Sequence, residues 1–269
     1  NVAVGYGALT LQDAGADAYS VAVGYLAGTN ISTGTGNTLV GGLAGDSLTT
    51  GSSNTVLGYD ALSTENAHGT NTAVGYQSLK ALDAGANGYN VAVGFQTGLS
   101  MSTGTQNTII GGLAADALTT GTNNMVIGYN AAASAVDVNN EITLGDANIS
   151  AFRCADDSIS TLSDRRDKSN IKDSEFGLDF INSIRPVEFT WDYRLEHMAE
   201  AKQGKTRIGF IAQELQEAMP NGENEILDLV YDIDENRIEA KYGKLVPILT
   251  KAIQELSAEV KELKKQING

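Results

Sequence analysis

The stretch LSDRRDK, residues 162–168, brings a serine, two aspartates, two arginines and a lysine together. A serine hydroxyl is a poor nucleophile until a base takes its proton. A lysine can be that base when burial or cationic neighbours favour its neutral form. Ser163 is therefore the candidate nucleophile and Lys168 the candidate base, with Arg165 and Arg166 as the cationic neighbours. Asp164 would orient the serine or its backbone, or cap the segment. His68 falls in a repeat turn and His197 in a charged stretch, and both are read as solvated. A serine five positions before a lysine is a common pattern, however, and the same residues suit a solvated, capped hinge.

The elements that would position these groups differ on the two sides. Up to residue 162 the chain carries 12 acids against 2 bases (Lys80 and Arg153), and beyond it 21 against 16. Thirty glycines and three prolines in 269 residues are too few prolines for collagen, and the chain is too apolar for disorder. The net charge of −15 leaves no basic face large enough for nucleic acid. Cys154 is alone, so neither a disulfide framework nor a thiol-rich metal site is expected. No apolar run would span a bilayer, and no signal peptide is evident. The chain opens on Asn1 inside a repeat and is expected to be a fragment lacking its N-terminal part.

That repeat has a strict beat. NVAVGY at 1–6 recurs as SVAVGY, NTLVGG, NTVLGY, NTAVGY, NVAVGF, NTIIGG and NMVIGY, with a decayed copy, EITLGD, at 141–146. Gly5, Gly24, Gly41, Gly58, Gly75, Gly94, Gly111, Gly128 and Gly145 are spaced 19, 17, 17, 17, 19, 17, 17 and 17 residues apart. A 70-residue block of four units thus occurs twice. Each unit offers a short β-favouring run, a glycine, a second apolar stretch and a polar turn. Such strands cannot bury a face alone but can when stacked. The expected architecture is an all-β repeat, a parallel β-solenoid, trimeric β-roll or β-helix, over 1–146. The glycine should mark a tight bend or close backbone approach. The asparagine that opens most units is read as a turn residue in preference to a stacked amide ladder. Tyr6, Tyr25, Tyr59, Tyr76 and Tyr129 are read as packing rungs. Asp46 and Asp116, seventy residues apart, belong to the repeat and form no glycosidase pair.

After a connector at 147–162 the pattern turns α+β. Residues 170–184 carry a helical stripe, capped by Asp173 or Ser174 and stopped by Pro186. VEFTW (187–191) alternates like a strand, RIGFIAQEL (207–215) runs from strand into helix, and 227–243 reads as a hairpin turning at Asp234, Glu235 and Asn236. Asp232, Asp234 and Asn236 have the spacing of a calcium loop. Arg237 replaces the glycine that such a loop needs and Gly243 its last glutamate, so no metal or cofactor is expected. The region 244–269 forms a heptad helix through Val246, Leu249, Ile253, Leu256, Val260, Leu263 and Ile267. Three heptads are short for an independent coiled coil and need high local strand concentration.

The repeat resembles the head repeats of trimeric autotransporter adhesins and the shafts of marine phage tail fibres, which implies a trimeric, rod-like, adhesive assembly. SDRRDK (163–168), GLDFINSIRPVEFTW (177–191), IGFIAQEL (208–215) and YGKLVPILTKAIQELSAEVKEL (242–263) resemble, in order, the intramolecular chaperone of endosialidase-type phage tail proteins, the S74 peptidases. That resemblance implies a small α+β chaperone and auto-peptidase over 163–243, followed by a trimerisation helix. It also implies that Ser163 and Lys168 form a dyad cutting the Leu162–Ser163 bond. The implied protein is a homotrimeric tail fibre or spike of the virion, assembled in the host cytoplasm, with a host-surface receptor or glycan as further partner. A non-cleaving fibre with a permanent trimeric tip and a bacterial surface adhesin are the alternatives. No nucleic acid or membrane partner is expected.

Overall fold

A computed structural model describes residues 1–15, 17–155, 163–192, 204–219, 221–234 and 237–268. His197, Leu162, Glu235 and Asn236 lie outside them. The chain divides into two compact units, Asn1–Ile149 and Ser150–Gly269.

The first unit is a parallel β-solenoid. Its strands are β1 (Val2–Val4), β2 (Val21–Val23), β3 (Thr38–Val40), β4 (Thr55–Leu57), β5 (Thr72–Val74), β6 (Val91–Val93), β7 (Thr108–Ile110), β8 (Met125–Ile127) and β9 (Ile142–Leu144). They pair in sequence order, each in parallel with the next, and Val2, Val21, Thr38 and Thr55 open successive strands in one register. Consecutive strands of the chain thus stack as successive coils of the solenoid. Strands of three residues can bury only their middle side chain, because neighbours point to opposite faces. Ala22, Leu39, Val56, Ala73, Ala92, Ile109 and Val126 accordingly point into the core. Leu48, Leu62, Leu79, Leu82 and Met101 fill the rest of it from the second apolar stretch of each unit.

The repeated glycine does both things expected of it. Gly41 has φ +140°, and a Cβ there would stand 2.4 Å from the carbonyl oxygen of Gly58 in the next coil. The same approach recurs down the column, so the coils are in backbone contact at this corner. Four of the five tyrosines read as rungs stack: Tyr6 on Tyr25, and Tyr59 on Tyr76 and then Phe95, with centroids 5.3–5.7 Å apart, while Tyr129 is exposed. The stack is exposed, along the outside of the solenoid.

The asparagine column overturns its expected role. Asn37, Asn54, Asn71, Asn90, Asn107 and Asn124 are buried and form an amide ladder. The Oδ1 of each accepts the backbone N–H of the corresponding residue one coil on: Asn54 N to Asn37 at 2.9 Å, Asn107 N to Asn90 at 3.0 Å, Asn124 N to Asn107 at 2.9 Å. The Nδ2 groups of Asn37, Asn90, Asn107 and Asn124 donate to backbone carbonyls of a later turn, as Asn107 does to Gly121 O at 2.9 Å. A buried N–H must find a partner, and here a side chain supplies it where no strand partner is aligned.

The second unit is α+β. Strand β10 (Val187–Thr190) pairs antiparallel with β11 (Thr206–Gly209), which leads into α2 (Ala212–Glu217). Strands β12 (Val230–Asp234) and β13 (Arg237–Ala240) form the expected hairpin, and Asp232 accepts from the Gln216 amide. A short helix, α3 (Asn224–Leu227), precedes it and was not expected. The side-chain oxygen of Asn224 takes the N–H groups of Leu229 and Val230.

Helix α1 covers only Leu178–Ser183, not 170–184. The Ser174 hydroxyl bonds locally with Phe176, which holds that stretch in a turn and competes with helix. Neither Asp173 nor Ser174 caps α1. The N–H of Leu178 instead reaches Glu255 Oε2 at 2.7 Å, on the C-terminal helix α4 (Leu245–Asn268). That bond holds the Glu255 carboxyl below the ordinary carboxylate range. Leu245, Ile248 and Ala252 of α4 are buried, the first two in a core with Ile184, Leu215, Met219, Leu227, Leu229 and Val230. The heptad positions of α4 face away and are 40–80 % exposed in the single chain.

Asn107→Ala tests the ladder. It strands the N–H of Asn124 and the carbonyl of Gly121, and should destabilise the shaft by about 2–4 kcal/mol. The exposed Thr103→Ala should stay within about 0.5 kcal/mol. Guanidinium unfolding of the two variants makes the comparison.

Candidate functional site

The segment after residue 162 folds on itself. Arg165–Asp167 form a single 3-10 turn, and Asp164 is its N-cap, accepting the N–H of Arg166 at 2.8 Å. Aspartate is a preferred cap because its short carboxylate reaches an N–H that the turn leaves unpaired. Lys168 closes the turn with its own N–H on the Arg165 carbonyl. This compact turn brings the ends of the segment together, and Lys168 Nζ lies 2.6 Å from Ser163 Oγ.

The contact is a charge-assisted hydrogen bond in which the ammonium donates and the hydroxyl oxygen accepts. Reversal of that proton makes the amine an acceptor for the hydroxyl, so the geometry suits proton transfer between the pair. Both side chains are exposed in the single chain.

Arg166 is paired within the turn. Arg166 donates through Nε and Nη2 to both carboxylate oxygens of Asp164, with Nη2 to Oδ2 at 2.6 Å. This bidentate pair, with the backbone bond from Arg166, holds the Asp164 carboxyl below the ordinary range and raises the Arg166 guanidinium. The charge of Arg166 is therefore engaged by Asp164. Among the three roles weighed for Asp164, the structure shows the cap.

Residues 163–222 match a family model. The model is that of the chaperone of endosialidase, peptidase S74. The S74 match begins at Ser163 and takes in the capped turn, α1, β10, β11 and α2. With the preceding solenoid it fits a phage fibre fragment that carries a chaperone domain. Neither the curated proteins nor the solved structures yield a match. No helix among the described residues is long and apolar enough to cross a membrane.

A second cluster lies in the solenoid. One ligand-type atom from each of Glu65, His68 and Asp83 lies within 4.8 Å of the others. His68, expected to be solvated, has its side chain only 30 % exposed, and its Nδ1 is sequestered 3.4 Å from Glu65 Oε1. The sequence signal was available in the repeat itself: Glu65 occupies a column that is otherwise largely aliphatic.

The Asp164 cap has a defined pH response. A depressed carboxyl retains its bonds as pH falls through the ordinary aspartate range and loses them only on passing its own lower value. The Arg166 amide and Nε–H resonances should hold their bonded shifts through the ordinary aspartate range and move together only in stronger acid, as an NMR titration would record. Asp164→Asn should remove that transition.

Proposed function

We propose that this chain belongs to a homotrimeric phage tail fibre whose S74 segment aligns three chains for folding and then cuts them free at Leu162–Ser163. The observation that carries the cleavage is the 2.6 Å contact of Lys168 Nζ with Ser163 Oγ at the start of the S74 match. Neutral Lys168 takes the hydroxyl proton as Ser163 Oγ attacks the carbonyl carbon of Leu162. The C–N bond then breaks, the Ser163 nitrogen receives the proton from Lys168, and an ester joins Leu162 to Oγ. Water hydrolyses that ester, leaving the Leu162 carboxylate and a free serine. Asp164 holds the turn that sets Ser163 against Lys168.

Two apolar surfaces support the trimer. The heptad stripe of α4, from Val246 to Ile267, has its side chains largely exposed in the single chain, a stripe that helices cover by pairing. The outer face of the solenoid carries a second stripe, with Val4, Leu57, Val93, Ile110 and Leu144 exposed at the last position of their strands. An exposed apolar stripe of this length marks an interaction surface. Copies held together at α4 would raise the local concentration of their solenoids.

Exposure of Ser163 and Lys168 favours a second reading, a fibre whose tip stays attached, because a lysine base needs burial or positive neighbours.

Wild type, Ser163→Ala and Lys168→Arg on denaturing gels decide between them. Wild type should release a fragment whose N-terminus is Ser163. Loss of either group should slow release by about 100-fold or more, since arginine keeps the charge but cannot act as base. Three full-length bands would leave the attached tip standing. Sedimentation of Ser163→Ala should give a trimer. Adding Ile253→Asp, on the exposed stripe, should drive the chain towards monomer with its helical signal largely kept.

A further inference from the structure

One coil of the solenoid breaks the pattern of its neighbours in two columns at once. Ile31, Leu48, Leu82, Met101 and Leu118 occupy one core column, and at that position the fourth coil holds Glu65, with 0 % exposure. Gly34, Gly51, Gly104 and Gly121 occupy a second column, and the same coil holds His68 there. The backbone at these glycines runs close to the next coil: a Cβ on Gly51 would lie 2.4 Å from the His68 carbonyl. The array has therefore exchanged an aliphatic core residue and a glycine for a carboxylate and an imidazole, three positions apart.

Glu65 is not simply a substitute for the missing aliphatic group. Its Oε1 accepts the N–H of His68 at 3.1 Å and its Oε2 the N–H of Ala84 at 3.0 Å. A carboxylate has about four acceptor sites, so two remain. Among the described residues no lysine or arginine pairs with it, although a buried carboxylate is costly without a cation. His68 Nδ1 sits 3.4 Å away, shut off from solvent and without a hydrogen-bond partner. Asp83 completes the set from the next, longer coil and is exposed, its backbone tied to Ser102.

We propose that Glu65, His68 and Asp83 form a divalent-cation site of the zinc class, clamping the fourth coil to the fifth. Imidazole nitrogen and carboxylate oxygen are ligands of Zn2+, which takes three protein ligands and water. Zinc bonds of about 2.0–2.1 Å place tetrahedral ligands about 3.4 Å apart. Glu65 and His68 already meet that spacing, and the exposed Asp83 side chain closes the remainder. The cation supplies the charge that Glu65 lacks and a partner for the orphaned Nδ1. It also pins the coil that opens the second 70-residue block, where the beat lengthens from 17 to 19 residues. Binding to the folded state alone stabilises it by mass action.

The test uses the 269-residue chain carrying Ser163→Ala, stripped with chelator and titrated with Zn2+. Bound metal is counted by mass spectrometry and shaft melting is followed by circular dichroism. One Zn2+ per chain and a raised melting temperature are expected. Asp83→Asn, on the surface, should weaken binding by about tenfold or more, since even outer-shell partners are worth 10–100-fold. Glu65→Leu with His68→Gly restores the residues of the neighbouring coils, so this variant should fold and melt without response to Zn2+. Uptake and melting shifts equal in all three chains would overturn the site, as would the absence of any uptake by the chain with the intact cluster.

Discussion

From the fourth coil on, each coil of the shaft depends on a backbone N–H at the entry to its strand being satisfied by the asparagine one coil earlier, a place that Ser20 takes for Asn37. Three-residue strands give few ladder bonds, and no isolated coil could hold its shape by them. The Asn37–Asn124 column adds a buried side-chain bond at each step, and the glycine column lets the opposite corner close to backbone contact. The narrow interior is then filled by one inward side chain per strand together with the large apolar residues of the second stretch of each unit. Middle residues as small as Ala22, Ala73 and Ala92 suffice there.

The same regularity creates a register problem. Within one chain, connections of 17 or 19 residues fix which coil follows which. Between copies nothing so strong operates. The outer stripe repeats at every strand, so in the proposed trimer a slip of one coil, about 4.8 Å, would preserve most facing contacts. Register must then be set at one end and propagated. Under the proposed function the S74-matching segment and α4, which follow the solenoid in the chain, would bring copies together through the exposed heptads before the solenoids pack. Local association of this kind raises the effective concentration of the remaining segments and shortens the time that unpaired edges are exposed.

Much of this was legible in the sequence because it is periodic. The glycine positions, the number of coils, the hairpin at β12–β13 and the strand-to-helix run at β11–α2 follow from spacing and turn chemistry. The ladder was not, because the asparagine and glycine columns have the same beat. Spacing cannot tell an amide facing inward from one serving a turn. The start of α1 was hidden for a different reason. Its cap is Glu255, 77 residues on, and local stripe and cap signals at 173–176 pointed to an earlier start. At the candidate site the Ser163–Lys168 contact is local and its residues could be read, whereas the Arg166–Asp164 pair was not foreseen. A two-residue separation within a 3-10 turn brings them together, a geometry the α-helical or strand period does not suggest.

The exposed candidate dyad and the uncovered stripes have one consequence in common. A lysine base works where burial or positive neighbours favour the neutral amine. In the single chain Lys168 is exposed and Arg166 is engaged by Asp164. Under the proposed function, association of three copies is the event that could change this, by excluding water around the turn and bringing cationic side chains of other copies near it. A cutter that is incomplete until the chains are aligned would not release its chaperone too early. Once cut, the shaft would have lost the end that set its register, and its persistence would rest on the barrier to unfolding. A buried ladder with coil-to-coil backbone contact is suited to that task, because an interior coil can open only by breaking its bonds to both neighbours.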